Sequence, residues 1–212
     1  MKATRGRGLV VMAVLMVGSG LWASRSRAEP AAISHSVAQR MSDGSIVEGS
    51  SSTLVRTDKG MTMTIQTSDL QPGEVHTVWW TIFNFPAFCV GGLPPFWKPC
   101  GFVPDAFNPD VVATVLNATG HVIGNNGVGD FGAHLAEGDI SGDGSFPIPL
   151  PGDAVGLSNP RGAVIVLVVR SHGQPIPGQV KEQRSTYLGG GCHFPPAAND
   201  PCQDLQFVIH VP

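Results

Sequence analysis

Turn-forming residues interrupt this chain so often that the sequence predicts no long helix. The 212 residues include 27 glycines and 18 prolines, and turn signals recur roughly every dozen residues. Both residue types are unfavourable inside helices, and no segment keeps a helical period. Short strands joined by turns fit this spacing. The sequence therefore predicts an all-β protein, an antiparallel β-sandwich of the Greek-key or immunoglobulin-like type with long Pro/Gly-rich loops.

Three segments carry the clearest strand patterns. Met61, Met63 and Ile65 alternate with polar residues, which is typical of a strand with one buried face. The segment 75–85 (VHTVWWTIFNF) is apolar on both faces, so we expect a central strand that is covered on both sides. The run 162–169 (GAVIVLVV) is likewise expected to form a buried strand.

The remaining strand predictions rest on shorter signals. We expect strands at 111–117 and at 205–211, where Leu205, Phe207, Ile209 and Val211 alternate with other residues. A Gly-Asn-Asn-Gly turn at 124–127 separates 121–123 from 131–135, which predicts a β-hairpin.

The first 28 residues have the pattern of a secretory signal peptide. Basic residues precede an apolar stretch at 8–23, and Ser26 and Ala28 supply the small-residue spacing that a signal peptidase accepts. We therefore expect cleavage before Glu29 and a secreted or periplasmic protein. A retained membrane anchor is the alternative, but 8–23 is shorter than the roughly 20 apolar residues that a span requires. Residues 29–52 are expected to form a flexible arm or an edge strand, and 53–212 a single sandwich domain.

The charge balance argues against two classes of partner. Five of the 13 basic residues lie within 1–28 and all 16 acidic residues lie beyond it, so the exported chain carries 8 basic and 16 acidic residues. Nucleic acids and anionic membranes both attract concentrated positive charge. We therefore expect no nucleic acid and no stable membrane span after cleavage. The expected partner is a small molecule, a glycan or a protein.

All four cysteines, Cys89, Cys100, Cys192 and Cys202, lie in the exported part. An even number of cysteines in an oxidising compartment predicts disulfides. Of the three possible pairings we favour Cys89 with Cys100 and Cys192 with Cys202, because each pair brackets a Pro-rich segment. A zinc site or free thiols are the alternatives, although the close Cys-x2-Cys spacing of structural zinc sites is missing.

Histidines provide the alternative candidate site. His76, His134, His172 and His210 could form a copper or zinc site if their strands were neighbours and their side chains shared a face. No His-x-His or His-Glu-x-x-His spacing supports this site, so hydrogen-bonded structural histidines are the simpler interpretation. We expect no cofactor and name no catalytic residue.

Aromatic side chains provide the leading candidate site. Trp79 and Trp80 are adjacent on a predicted strand, so they must point to opposite faces, and core packing is expected for both. Phe96 and Trp97 lie instead in a Pro-rich loop between two cysteines, where an aromatic side chain is more easily exposed for binding. We expect Phe96 and Trp97 to belong to a ligand-binding surface.

Two segments resemble chordin-type (CHRD) domains. These segments are 166–183 (VLVVRSHGQPIPGQVKEQ) and the turn Leu70-x-Pro72-Gly73, which precedes a strand that bears His76. As a whole the chain is similar to uncharacterised bacterial secreted proteins. The resemblance implies a β-sandwich and brings no catalytic residues with it. The sequence thus predicts an exported, non-enzymatic binding or envelope-associated module, with a copper- or zinc-binding protein or metal-dependent enzyme as the alternative.

Overall fold

Two antiparallel sheets pack face to face in the computed structural model, which describes residues 29–92, 99–142, 146, 149–151, 155–193 and 200–212. Sheet I contains, in spatial order, β1 (Ala32–Ser36), β3 (Ser51–Thr57), β4 (Gly60–Thr67) and β7 (Gly129–Ala136). Sheet II contains, in spatial order, β2 (Gln39–Arg40), β9 (Cys202–His210), β8 (Val164–His172), β5 (Val75–Phe83) and β6 (Ala113–Val122). The helical elements are a 3-10 turn at Pro86–Phe88, α1 at Phe102–Asp105 and α2 at Val180–Gln183. The prediction of an all-β sandwich is confirmed.

The main core lies between the sheets and follows the period-two pattern of the sequence. On β4, Met61, Met63 and Ile65 are buried, whereas Thr62 and Thr64 between them are exposed. Successive side chains of a strand point to opposite faces, so alternation alone directs one face of β4 toward sheet II.

Sheet II is covered on both faces. Every residue of β5 and of β8 is buried, as the apolar character of both segments predicts. Trp80 packs in the core between the sheets, whereas Trp79 packs in a second apolar cluster on the far side of sheet II. We call this second group the outer cluster. Its members come from sheet II and from the loops that cross it, so loops take the place of a third layer.

The hairpin predicted across 124–127 is wrong. β6 ends at Val122 in sheet II and β7 begins at Gly129 in sheet I, so the turn joins strands of different sheets. The turn binds another loop instead, since the backbone N–H of Leu70 donates to the carbonyl of Gly127 at 3.2 Å. β7 pairs with β4, so the apolar residues of β7 extend the buried face of β4.

The last strand departs from simple alternation. The register between β8 and β9 shifts beside Arg170, and Leu205 is the extra residue of a bulge. Leu205 therefore packs against the core between the sheets, while Phe207 and Ile209 contribute to the outer cluster. The strand predicted at 111–117 begins at Ala113 and continues to Val122.

Residues 29–52 contribute an edge strand to each sheet. β1 pairs with β3 in sheet I, and the short β2 pairs with β9 in sheet II. The predicted signal peptide, 1–28, lies outside the described residues. Within the described part of the chain, no helix is long and apolar enough to cross a membrane.

Both predicted disulfides are present. Cys89 is bonded to Cys100 and Cys192 to Cys202, with Cα–Cα distances of 5.2 Å and 5.4 Å. Cys89, Cys100 and the neighbouring Phe102 all pack in the outer cluster. The Cys89–Cys100 disulfide therefore lies on the outer face of sheet II.

Candidate functional site

A cavity of about 380 Å³ opens on the outer face of sheet II. The described residues of its lining are almost entirely apolar; they are Met41, Trp79, Thr81, Phe102, Val103, Phe107, Val115, Phe146, Val168, Tyr187 and Asp204. We call this cavity the outer pocket. Its floor comes from adjacent strands of sheet II, since Trp79 lies opposite Val168 and Thr81 lies opposite Val115 in the register. The walls come from the loops that cross this face.

The aromatic rings of the outer pocket form one continuous series of edge-to-face contacts. Phe102 contacts Phe107 and Phe146, with ring centroids 5.6 Å apart in both cases. Phe146 then contacts Tyr187 at 5.0 Å, and Tyr187 contacts Trp79 on the floor at 5.2 Å. Such geometry is favourable for aromatic pairs beyond the area that they bury. The series fixes the loop walls to the sheet and presents ring faces and edges to the cavity.

One wall carries a group of three polar side chains. The guanidinium Nη1 of Arg170 donates to Asp204 Oδ1 at 2.7 Å, and the hydroxyl of Tyr187 donates to Asp204 Oδ2 at 3.2 Å. Arg170 also lies over the Tyr187 ring, with its Cζ 3.9 Å from the centroid. Burial, with the Asp204 carboxylate nearby, raises the pKa of the Tyr187 phenol well above its usual value, so the phenol remains a donor. Asp204 is therefore neutralised by its own neighbours.

A buried hydrogen-bond chain leads from the pocket floor to the Cys192–Cys202 disulfide. The indole Nε1 of Trp79 donates to Thr77 Oγ1 at 2.8 Å, which leaves the Thr77 hydroxyl to donate to His172 Nε2 at 2.9 Å. His172 Nδ1 must then carry the proton, and it donates to the carbonyl of Gly189 at 3.0 Å. Burial lowers the pKa of His172 to about 4, so the ring is neutral at pH 7.

A buried carboxylate holds the loop of the Cys89–Cys100 disulfide against the pocket wall. The Asp105 oxygens accept from the backbone N–H groups of Val90 at 2.8 Å, Gly91 at 3.0 Å and Gly101 at 2.7 Å. A side chain at Gly101 would overlap the backbone of Gly92, so glycine permits this close approach. Phe102 follows directly and lines the outer pocket. The position of this wall residue thus depends on the disulfide loop.

The aromatic pair predicted to bind a ligand, Phe96 and Trp97, lies outside the described residues. The two cysteines on either side of this pair, however, lie within the described residues. Cys89 and Cys100, on either side of the pair, both pack in the outer cluster with Trp79. The loop therefore starts and ends beside the outer pocket.

The structure does not bring the four candidate histidines together. His76 and His172 lie at one end of sheet II, where His76 is opposite Ser171, the residue before His172. His210 lies opposite Ile165, six residues farther along β8 and so roughly 20 Å away. His134 is exposed on sheet I, where it contacts Thr62 Oγ1 at 3.0 Å. The set His76, His134, His172 and His210 thus forms no common site.

Comparison with known protein families, characterised proteins and solved structures finds no match. Several residues of the outer pocket, among them Tyr187 and Asp204, carry no pattern in the sequence that marks them as pocket residues. One signal was available: Arg170 follows directly after a buried apolar run, and a buried charged group is commonly paired with an opposite charge.

Proposed function

We propose that this protein is an exported, non-enzymatic binding module that holds a small, uncharged and largely apolar molecule in the outer pocket. The observation that carries the proposal is the cavity itself, an open apolar space with an aromatic wall on an otherwise covered sheet. Concave, mostly apolar spaces with a few polar groups are the usual places where proteins bind small molecules.

The volume supports a ligand of modest size. Small-molecule sites typically enclose about 300 to 1,000 Å³, and the outer pocket, at about 380 Å³, lies near the lower limit. The edges and faces of Phe102, Phe146 and Tyr187 suit a flat ring system, because aromatic pairs favour offset or edge-to-face contacts. A molecule with one or two fused rings fits this description.

The charge distribution supports an uncharged ligand. Asp204 is the charged residue among the described lining residues, and Arg170 neutralises it at 2.7 Å. An ion that entered the pocket would give up its hydration without finding a free counter-charge among the described lining residues. The Asp204 carboxylate and the Tyr187 hydroxyl already bind each other, which supports binding rather than proton transfer as the role of this wall.

The disulfide loop fits the same function. The Cys89–Cys100 disulfide and Asp105 fix the two ends of this loop, and fixed ends reduce the entropy that a ligand-binding segment loses on binding. We retain Phe96 and Trp97 as proposed contributors to the ligand-binding surface. Two disulfides also fit an oxidising compartment, so export to the periplasm or to the medium is part of the proposal.

Titration with a neutral and a charged naphthalene derivative tests the proposal. Naphthol should bind to the purified protein with one-to-one stoichiometry by calorimetry. Naphthalenesulfonate, which has the same ring system but a permanent charge, should bind at least about tenfold more weakly, a difference of 1.4 kcal/mol.

Two exposed valines provide a matched pair of variants. Val103 lines the pocket mouth and is 58% exposed, whereas Val122 lies at the end of β6 outside the pocket and is 41% exposed. Val103→Arg should weaken naphthol binding at least about tenfold, and Val122→Arg should leave it unchanged. Equal affinity for both naphthalene derivatives, or equal effects of both substitutions, would contradict the proposal.

A further inference from the structure

Three potential metal ligands lie together at the far end of the hydrogen-bond chain, namely the two sulfurs of the Cys192–Cys202 disulfide and the imidazole of His172. His172, Cys192 and Cys202 are all buried, and their ligand atoms lie within 4.8 Å of one another. We propose that, once the disulfide is reduced, these three residues bind a thiophilic cation with a filled d shell, Zn(II) or Cu(I). The proposal does not depend on what the outer pocket binds.

The distances already suit a shared metal ion. His172 Nδ1 lies 3.3 Å from Cys192 Sγ. Zinc bonds of about 2.3 Å to sulfur and about 2.1 Å to nitrogen place two such ligands roughly 3.5 Å apart around a tetrahedral ion. The Cα atoms of Cys192 and Cys202 are 5.4 Å apart, so a small change of side-chain rotamer can separate the two sulfurs enough to chelate one ion.

The surroundings of His172 have the form of a metal site. The imidazole of a metal-binding histidine usually has its other nitrogen fixed by a hydrogen bond, and Thr77 Oγ1 lies 2.9 Å from His172 Nε2. When Nδ1 binds the metal, its proton moves to Nε2 and the Thr77 hydroxyl rotates to accept it. Two thiolates with Zn(II) give a site of zero net charge, which a buried position favours. Soft sulfur ligands also suit Cu(I), with one residual negative charge.

The chemical step balances with a dithiol as the reductant. The Cys192–Cys202 S–S bond takes up two electrons and two protons and becomes two thiols, and the donor dithiol is oxidised to its own disulfide. Both thiol protons are released when the two sulfurs bind the cation. The disulfide therefore closes the site, and reduction opens it.

The other disulfide provides an internal control. Cys89 and Cys100 also have a carboxylate, that of Asp105, within ligand distance. The Asp105 oxygens already accept three backbone N–H groups, so this carboxylate is not free to bind a metal without leaving those donors unpaired. Reduction should therefore produce one metal site and not two.

The test uses the wild-type protein and thiol protection. The protein is reduced with a dithiol, freed of reductant without oxygen, checked for β-sheet by circular dichroism, and supplied with one equivalent of Zn(II) or, in a second arm, Cu(I). Iodoacetamide followed by peptide mapping then identifies the protected cysteines. Cys192 and Cys202 should be protected in at least one arm, while Cys89 and Cys100 are alkylated.

His172→Gln should weaken metal binding by more than about tenfold. Loss of a residue that only supports a ligand already weakens metal binding about 10- to 100-fold, and His172 is proposed as a direct ligand. His134→Gln, on the exposed face of sheet I, should leave binding unchanged. Equal protection of both cysteine pairs, protection of neither in both arms, or loss of the sheets on reduction would overturn the proposal. The wild-type result decides the question even if the His172 variant does not fold.

Discussion

His210 makes the stability of this protein sensitive to acid. Its ring lies between the two sheets, with Nε2 2.9 Å from Ser52 Oγ and Nδ1 2.9 Å from Ser34 Oγ. The Ser52 hydroxyl donates to the Thr64 carbonyl, so it accepts from Nε2–H, and Nδ1 accepts from Ser34. The ring is therefore held in its neutral form. Arg56 lies close by, since its Nη2 donates to the His210 carbonyl at 3.2 Å.

The magnitude follows from linkage between protonation and folding. Burial, followed by repulsion from Arg56, lowers the pKa of His210 from 6.5 to about 4 in the folded protein. Above pH 6.5 neither state takes up the proton, and the stability is complete. Between pH 6.5 and pH 4, His210 binds a proton in the unfolded chain but stays neutral in the folded protein, so the free energy of unfolding falls as the pH falls. At pH 4.5 this single group should cost about 2.5 kcal/mol relative to pH 7.5.

Urea unfolding at pH 7.5 and at pH 4.5 measures this loss. His210→Gln should lose about 2.5 kcal/mol less between the two pH values than the wild type does. Ser52→Ala provides the control, because it removes a hydrogen-bond partner but keeps the imidazole. Its unfolding free energy should be lower at both pH values, and its acid sensitivity should be at least that of the wild type. If His210→Gln keeps the full acid sensitivity, the assignment of that sensitivity to His210 is refuted.

Three further predictions use the same stability assays or mass spectrometry. Trp79→Ala and Trp80→Ala should each cost about 3–5 kcal/mol as truncations of buried side chains, whereas Trp97→Ala should cost much less, and thermal unfolding of the three variants compares them. Asp105→Asn should cost about 1–3 kcal/mol, because the amide places donors against backbone N–H groups, and an unchanged urea midpoint would contradict this. Mass spectrometry of the exported protein should find Glu29 at the N-terminus, and an intact leader would show the cleavage prediction to be wrong.

Much of the sandwich follows from local patterns in the sequence. β5 and β8 could be predicted because a strand that is apolar on both faces must lie in the centre of a covered sheet. The opposite orientation of Trp79 and Trp80 follows from strand geometry alone. The disulfide pairs were predictable because each closes a short Pro-rich segment.

Features that depend on contacts between distant segments could not be predicted in the same way. The turn at 124–127 has hairpin chemistry, but its hydrogen bond to Leu70 belongs to a loop far away in the sequence. Tyr187 and Phe146 lie in segments without strand or helix periodicity, so no pattern indicates that their rings meet over Trp79. The bulge turns the Leu205 side chain to the other face of β9, and no glycine in this segment of the sequence indicates a bulge.

The central claim is that the outer face of sheet II, above Trp79, binds an uncharged apolar molecule. The two adjacent tryptophans allow a direct test, because their side chains lie on opposite faces of the same strand. Nitrogen-15 NMR of the exported protein during a naphthol titration follows the indole N–H signals of Trp79 and Trp80. We expect a saturable shift of the Trp79 signal, while the Trp80 signal stays nearly unmoved. No shift at Trp79, or equal shifts of both signals, would contradict it.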